Sequence, residues 1–338
     1  MLMVVFGAGA SYDSIPSLPS HHNLHFRPPL ANQLFENRDN FAAVVKRFPK
    51  CQPIIPLLRH LPPDLSLEQK LEELQNEAAA YPERHRQLAA IRYYLHFMLW
   101  ECDRGWFEQS RGVTNYKTLF DELERWRSQR KERVCVVTFN YDRLLEWSLP
   151  DVGVTITTIA DYVSGDCYKV FKLHGSVDWA RAVRTPIDVR EGNVWHTAKT
   201  MIDRAPDLDI TNTFYRVEDY PIGVVGDQAV FPAIAIPVET KRNFECPPDH
   251  LEALRACIPE IDRLLLIGWR ATEYHFLDLL IKHLQREIVG LVVTESPSSG
   301  EEIIQRLTKH GIRGRVTPCS SGFTGFVLGR HVREFLNE

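Results

Sequence analysis

The chain has 338 residues, 44% apolar and 25% charged, with 18 glycines and 21 prolines. Those proportions exclude collagen-like, mucin-like and disordered chains and leave one large domain or two unequal ones. Forty basic side chains stand against 44 acidic ones, a formal charge of −4, so no global charge draws the protein to nucleic acid or to an anionic membrane.

The opening MLMVVFGAGAS lacks a basic leader region and reads as a first strand running into a glycine turn, not an export signal. Apolar runs such as 264–267 and 289–293 fall far short of the ~20 residues a membrane helix needs. Seven cysteines, no two closer than eleven residues and without CxxC, fit reduced thiols and give no zinc ribbon. A cytoplasmic location is therefore expected.

A polar loop rich in Pro and His follows to about Pro29. From Leu30 to Arg130 the apolar spacing is helical: Leu67, Leu71, Leu74 and Ala78 keep one face, then Leu88, Ile91, Leu95, Met98 and Leu99, then Tyr116, Leu119, Phe120, Leu123 and Trp126. The strand signal returns at 133–140, with further short strands expected at 154–159, 168–173 and 229–237. The span 178–228 mixes aromatic and polar residues and yields no assignment. Beyond it helices at 248–258, 274–285, 300–310 and 325–336 alternate with strands at 263–267, 288–294 and 314–317. That rhythm predicts an α/β fold, a Rossmann-like doubly wound parallel sheet, over 1–30 and 131–338, with a large helical insertion over 31–130.

Such a sheet binds ligands beyond the carboxyl ends of its strands, and five strand ends carry candidate chemistry. Gly7-Ala8-Gly9-Ala10-Ser11 can bring backbone N–H groups close to a diphosphate, although Tyr12 departs from GxGxxG and a plain turn is the simpler alternative. In Phe139-Asn140-Tyr141-Asp142, Asn140 can both donate and accept toward a ribose hydroxyl and a water; either it or Asp142 could instead cap a helix starting near Arg143. His174, in Leu173-His174-Gly175, is placed to act as a base near neutral pH, or is one more structural histidine among 13. Gly268-Trp269-Arg270 offers a close backbone approach and a phosphate-pairing guanidinium, or simply a helix start with a core tryptophan. Glu295 ends another strand, where a carboxylate can take both hydroxyls of an adenosine ribose, or lie solvated in a loop.

In that order, GAGAS, FNYD, LHG, a GW-type strand end and a polar strand end resemble the sirtuin superfamily, in which such segments surround NAD. The likeness extends over 1–20, 133–180 and 229–338. The chain departs from protein-deacylating sirtuins: it cannot assemble their four-cysteine zinc module, and only Ile15-Pro16 survives of a Gly-Ile-Pro-Asp-Phe-Arg loop. Gly268-Trp269-Arg270 stands for Gly-Thr-Ser, and Thr294-Glu295 where an adenosine-binding Asn is usual. It is similar instead to the sirtuin-like NAD-hydrolysing effectors of bacterial antiphage defence, with the helical insertion replacing the zinc module.

The resemblance implies NAD⁺ as substrate, cleaved to nicotinamide and ADP-ribose without a metal, with NAD-dependent deacylation or non-catalytic NAD or ADP-ribose sensing as alternatives. It implies that Asn140 and His174 are catalytic, Asn140 orienting the nicotinamide ribose and water and His174 acting on hydroxyl or water. Gly7, Ala8, Gly9 and Ser11 would cradle the diphosphate, Asp142 would hold the nicotinamide carboxamide, and Gly268 and Glu295 would face the second phosphate and the adenosine ribose. It further implies a homo-oligomer and a silent state that a partner or assembly relieves, such as a HerA-type ATPase or a short Argonaute-like protein; composition itself predicts neither membrane attachment nor strong nucleic-acid binding.

Overall fold

Unbroken apolar runs such as Leu2–Phe6 and Val134–Thr138 lack the alternation of a half-exposed strand, and every residue in both is buried, as parallel strands covered on two faces require. In the computed structural model, which describes residues 1–16, 24–62, 65–188, 194–217, 223–238 and 244–338, ten strands form. They are β1 (Leu2–Phe6), β2 (Val134–Thr138), β3 (Tyr168–Lys172), β4 (Gly175–Val183), β5 (Ile210–Arg216), β6 (Val224–Val225), β7 (Gln228–Ile234), β8 (Arg263–Ile267), β9 (Ile288–Val293) and β10 (Gly314–Cys319).

Six of them make a parallel sheet in the order β10-β9-β8-β1-β2-β3. This is the expected Rossmann-like doubly wound arrangement, and the strand order reverses between β1 and β8. The register matters most for function. Phe6 lies opposite both Thr138 and Ile267, Thr138 opposite Lys172, Ile267 opposite Val293, and Val293 opposite Cys319. All six strands thus end level, and the segments that follow β1, β2, β3, β8 and β9 emerge along one edge.

The remaining strands form a second, antiparallel sheet in the order β5-β4-β7-β6; β7 is the strand expected at 229–237, while β4, β5 and β6 fall almost wholly in the span that the sequence reading leaves unassigned. β4 enters it directly after the His174-Gly175 turn. Gly175 has φ +77°, and a Cβ there would sit 1.9 Å from the Ala233 carbonyl oxygen; only glycine allows the chain to leave β3 and pair at once with β7.

Two cores follow from this layout. One fills the parallel sheet and includes Tyr116, Leu119, Phe120, Leu123 and Trp126 from the helix Asn115–Arg130, which is the crossover between β1 and β2. The other joins residues of the insertion, among them Phe41, Leu71, Ile91 and Phe97, to Val177, Met201 and Phe231 of the antiparallel layer. The long helix Pro82–Ser110 belongs to both: Ala89 to Cys102 enter the second core, Trp106 the first.

Three further expectations differ from the structure. Residues 154–159 are irregular and end in a bend and a turn rather than forming a strand, because the Asp161 carboxylate accepts from the backbone of Thr157 and Thr158 and closes the loop. No α-helix starts near Arg143; a 3-10 turn at Glu146–Ser148 follows instead. The last helix is two, Gly322–Leu328 and His331–Asn337, parted at Arg330 with φ 65°. The His-rich loop lies partly in 17–23, outside the described residues. Among the described residues, no helix is long and apolar enough to cross a membrane.

Candidate functional site

The glycine turn after β1 and the end of β8 are packed backbone to backbone. A Cβ on Gly7 would meet the Gly268 carbonyl at 2.5 Å, one on Gly9 the Gly268 Cα at 2.9 Å, and one on Gly268, itself at φ +60°, the Ala10 nitrogen at 2.3 Å. Gly7 N–H donates to Ile267 O at 3.1 Å and Gly9 N–H to Gly268 O at 3.0 Å. These glycines therefore close the crevice at the point where the strand order reverses. Both amides are already spent inside the protein, so what Gly7 and Gly9 offer a ligand is an absent side chain.

Asn140 follows β2 and reaches back over that turn. Its Nδ2 lies 2.9 Å from Gly7 O, 2.9 Å from Ser11 Oγ and 3.2 Å from the Tyr116 hydroxyl. A carbonyl oxygen only accepts, so the atom facing Gly7 O must be the amide nitrogen. With its N–H groups turned inward, Asn140 presents Oδ1 to the cavity: an acceptor, where the sequence allowed donor and acceptor alike. Helix capping is not its role.

Asp142 does accept locally, Oδ1 taking the Leu144 N–H at 3.2 Å. Burial pushes its carboxyl above the usual range, while the Lys172 charge and the Ser11 hydroxyl act the other way. Ser11 and the Tyr116 hydroxyl are 3.0 Å apart; with the Ser11 hydrogen directed at Asp142, Tyr116 donates to Ser11. Lys172, wholly buried, donates from Nζ to Asp142 O at 2.5 Å and to Glu146 Oε1 at 2.7 Å. Tyr162 donates to the same Glu146 oxygen at 2.8 Å.

His174 is nearly buried after β3, its ring 4.9 Å from that of Phe139. Phe139 in turn stacks on Trp269, with centroids 5.4 Å apart and 14° between planes. Trp269 is held by its Nε1–H on Glu273 Oε2 at 2.5 Å. Glu295, exposed, stands beyond β9 on the far side of the switch point.

One cavity of about 510 Å³ takes in all of these: Gly7, Ala8, Gly9 and Ser11, then Asn140, Asp142 and His174, then Gly268 and Glu295 line it together. Arg270 is at its exposed rim. The opposite wall comes from the insertion, with Leu34, Ser66, Glu68, Leu99, Cys102 and Asp103.

Several contributors escape the sequence reading. Tyr116 counts there only as one member of a helical apolar stripe, and its hydroxyl gives no pattern signal. Asp103 and Glu273 lie in segments where charged residues are ordinary. Lys172 does carry a sequence signal, since a lysine inside the β run 168–173 must be exposed or paired. Among the described residues no group of three or more His, Cys, Asp or Glu side chains is placed to hold a metal ion.

Fold and site together define an α/β protein with a cavity at the switch point of a doubly wound sheet. No protein-family model and no curated protein sequence matches the chain. Solved structures similar to it include a Sir2 homologue in complex with NAD, 15% identical over 99% of this chain and 90% of that one, with a TM-score of 0.43. A mutant Sir2 homologue with 2′-O-acetyl ADP-ribose is 16% identical over 100% and 93%, TM-score 0.46. Sir2Tm bound to a propionylated peptide is 13% identical over 99% and 92%, TM-score 0.42.

Proposed function

We propose that this chain is a sirtuin-like NAD⁺ glycohydrolase that releases nicotinamide and ADP-ribose. The observation that carries the reading is the convergence of five level strand ends on one cavity, with the Asn140 amide locked so that Oδ1 faces that cavity. In sheet order Glu295 follows β9, Gly268 β8, Gly7 to Ser11 β1, Asn140 and Asp142 β2, and His174 β3. Neighbouring strands are about 4.8 Å apart, so β9 to β2 spans about 14 Å, across which an extended dinucleotide can lie.

Laid that way, the adenosine ribose meets Glu295, the diphosphate crosses the side-chain-free turn at Gly7, Gly9 and Gly268, and the nicotinamide ribose reaches Asn140. The bond from ribose C1′ to the pyridinium nitrogen breaks with its electron pair going to nitrogen, which discharges the ring. The oxocarbenium-like carbon left behind is captured by water. Asn140 Oδ1 accepts from a ribose hydroxyl or that water, His174 takes the proton released, and Asp142 accepts from the leaving carboxamide. Insertion residues such as Leu34 and Leu99 wall the cavity against bulk solvent. Such an activity would deplete its own cell. The reading therefore includes a homo-oligomeric defence effector with a silent state that assembly or a separate partner, such as a HerA-type ATPase or short Argonaute-like protein, relieves.

The test is nicotinamide release from NAD⁺ by wild type, Asn140→Ala and His174→Ala, with and without an acyl-lysine peptide. Release by wild type that both variants lose supports the reading. Equal turnover in all three overturns it, an acyl-ADP-ribose product shows a deacylase, and ligand binding without turnover shows a sensor.

A further inference from the structure

The helix Pro82–Ser110 touches the segments that follow β1 and β2 through two side chains three residues apart, hence on one face. Trp106 Nε1–H donates to Ser14 Oγ at 2.9 Å. Asp103, with no exposed surface, takes Arg143 N–H on Oδ1 and Arg143 Nε–H on Oδ2, both at 2.8 Å. Arg143 is itself confined: its guanidinium carbon lies 4.1 Å from the centre of the Trp100 ring and 4.8 Å from that of Trp147. Asp103 thus grips both the backbone and the side chain of the residue next to Asp142, and it also borders the cavity. Burial works against charge on the Asp103 carboxyl as the Arg143 guanidinium favours it, so the contact adds little net stability. A two-point hold on a backbone nitrogen is, by contrast, an effective way to fix a loop.

We propose that Asp103 is a positioning residue through which the inserted helix holds the loop 139–143 in the shape that aims Asn140 and Asp142 into the cavity. Helical module and catalytic loop then move as one unit, and a displacement of the Pro82–Ser110 helix disorders the site. The kinetic part of this rests on the hydrolase reading; the loop restraint does not.

Two measurements on the full chain keep them apart. Hydrogen exchange by mass spectrometry compares peptides covering 139–147 with those of β8 in wild type and Asp103→Asn, a variant of equal size that keeps one acceptor oxygen and loses the other. Exchange in 139–147 should rise on the order of tenfold while β8 is unchanged. With NAD⁺ as substrate, kcat should fall on the order of tenfold to a hundredfold with KM nearly constant, the signature of misplaced groups rather than lost binding. Arg143→Lys, which keeps the charge and the backbone bond, should fall between the two. Unchanged exchange in 139–147 overturns the proposal, and so does raised exchange with an unchanged kcat. If wild type releases no nicotinamide but exchange still rises, the loop restraint stands and the hydrolase reading fails. Should Asp103→Asn not fold, Arg143→Lys carries the same comparison.

Discussion

Replacing Asn140 by alanine should separate activity from stability, and the contacts say by how much. The amide nitrogen meets Gly7 O, Ser11 Oγ and the Tyr116 hydroxyl, yet its loss strands neither of the two nearest acceptors. Gly7 O still takes the Ala10 N–H at 2.9 Å, and Ser11 Oγ still has the Tyr116 hydroxyl at 3.0 Å. What disappears is two satisfied hydrogen bonds, about 1 kcal/mol each, so the fold should lose about 2 kcal/mol. In a protein of this size that is a melting shift of only a few degrees. The reaction loses the amide acceptor aimed at the ribose and water, for which about 10²- to 10³-fold in kcat, or about 3–4 kcal/mol, is expected. Scanning calorimetry beside a nicotinamide-release assay measures both. Turnover within a few-fold of wild type, or a collapse of the fold, refutes the reasoning that this amide is braced by the protein for the ligand.

Burial raises the Asp103 carboxyl from its ordinary 3.8 to about 7. The folded protein thus keeps a proton that the unfolded chain releases from about pH 4, and this stabilisation is whole below pH 4 and lost as pH rises through 7. Relative to Asp103→Asn, wild type should lose stability across that window, up to about 4 kcal/mol, in urea titrations at several pH values; parallel pH curves for the two proteins contradict it. Lys172→Met leaves Glu146 buried without its cation and should destabilise by about 3–5 kcal/mol, much of it regained when Glu146→Leu is added. Additive losses in that double-mutant cycle would show that the pair is not coupled. Gly175→Ala forces a Cβ against the Ala233 carbonyl at 1.9 Å in a left-handed backbone and should destabilise by about 3 kcal/mol or more, read by denaturant unfolding; a wild-type midpoint speaks against the turn as described.

Where the fold was legible, the residues report on their own surroundings. Leu2–Phe6 and the Leu264 to Ile267 part of β8 have no polar side to turn outward, so both their type and their limits could be read from apolar runs ended by glycine. Of the antiparallel layer only β7 was legible: β5 and β6 are partly buried and carry no period that burial would impose, and β4, though nearly all buried, holds Asp178 and Arg181, whose charges are met by Arg216 and Glu245 from distant segments. The same distinction holds in the site. Asn140, His174 and Gly268 stand out because they interrupt strand ends, a local feature. Tyr116, Asp103 and Arg143 act through partners up to 105 residues away in sequence, and such pairing leaves no mark on either segment alone. The glycines of the first turn were visible, but half of their reason, the close approach of Gly268, is tertiary.

The central claim is that one dinucleotide lies across the level ends of β9, β8, β1, β2 and β3. A crystal structure of His174→Ala with NAD⁺ tests it most directly. The account predicts an intact dinucleotide with its nicotinamide ribose within hydrogen-bonding reach of Asn140 Oδ1, its diphosphate over Gly7 and Gly268, and its adenosine ribose at Glu295. A dinucleotide bound in the reverse sense, or outside this cavity, contradicts it.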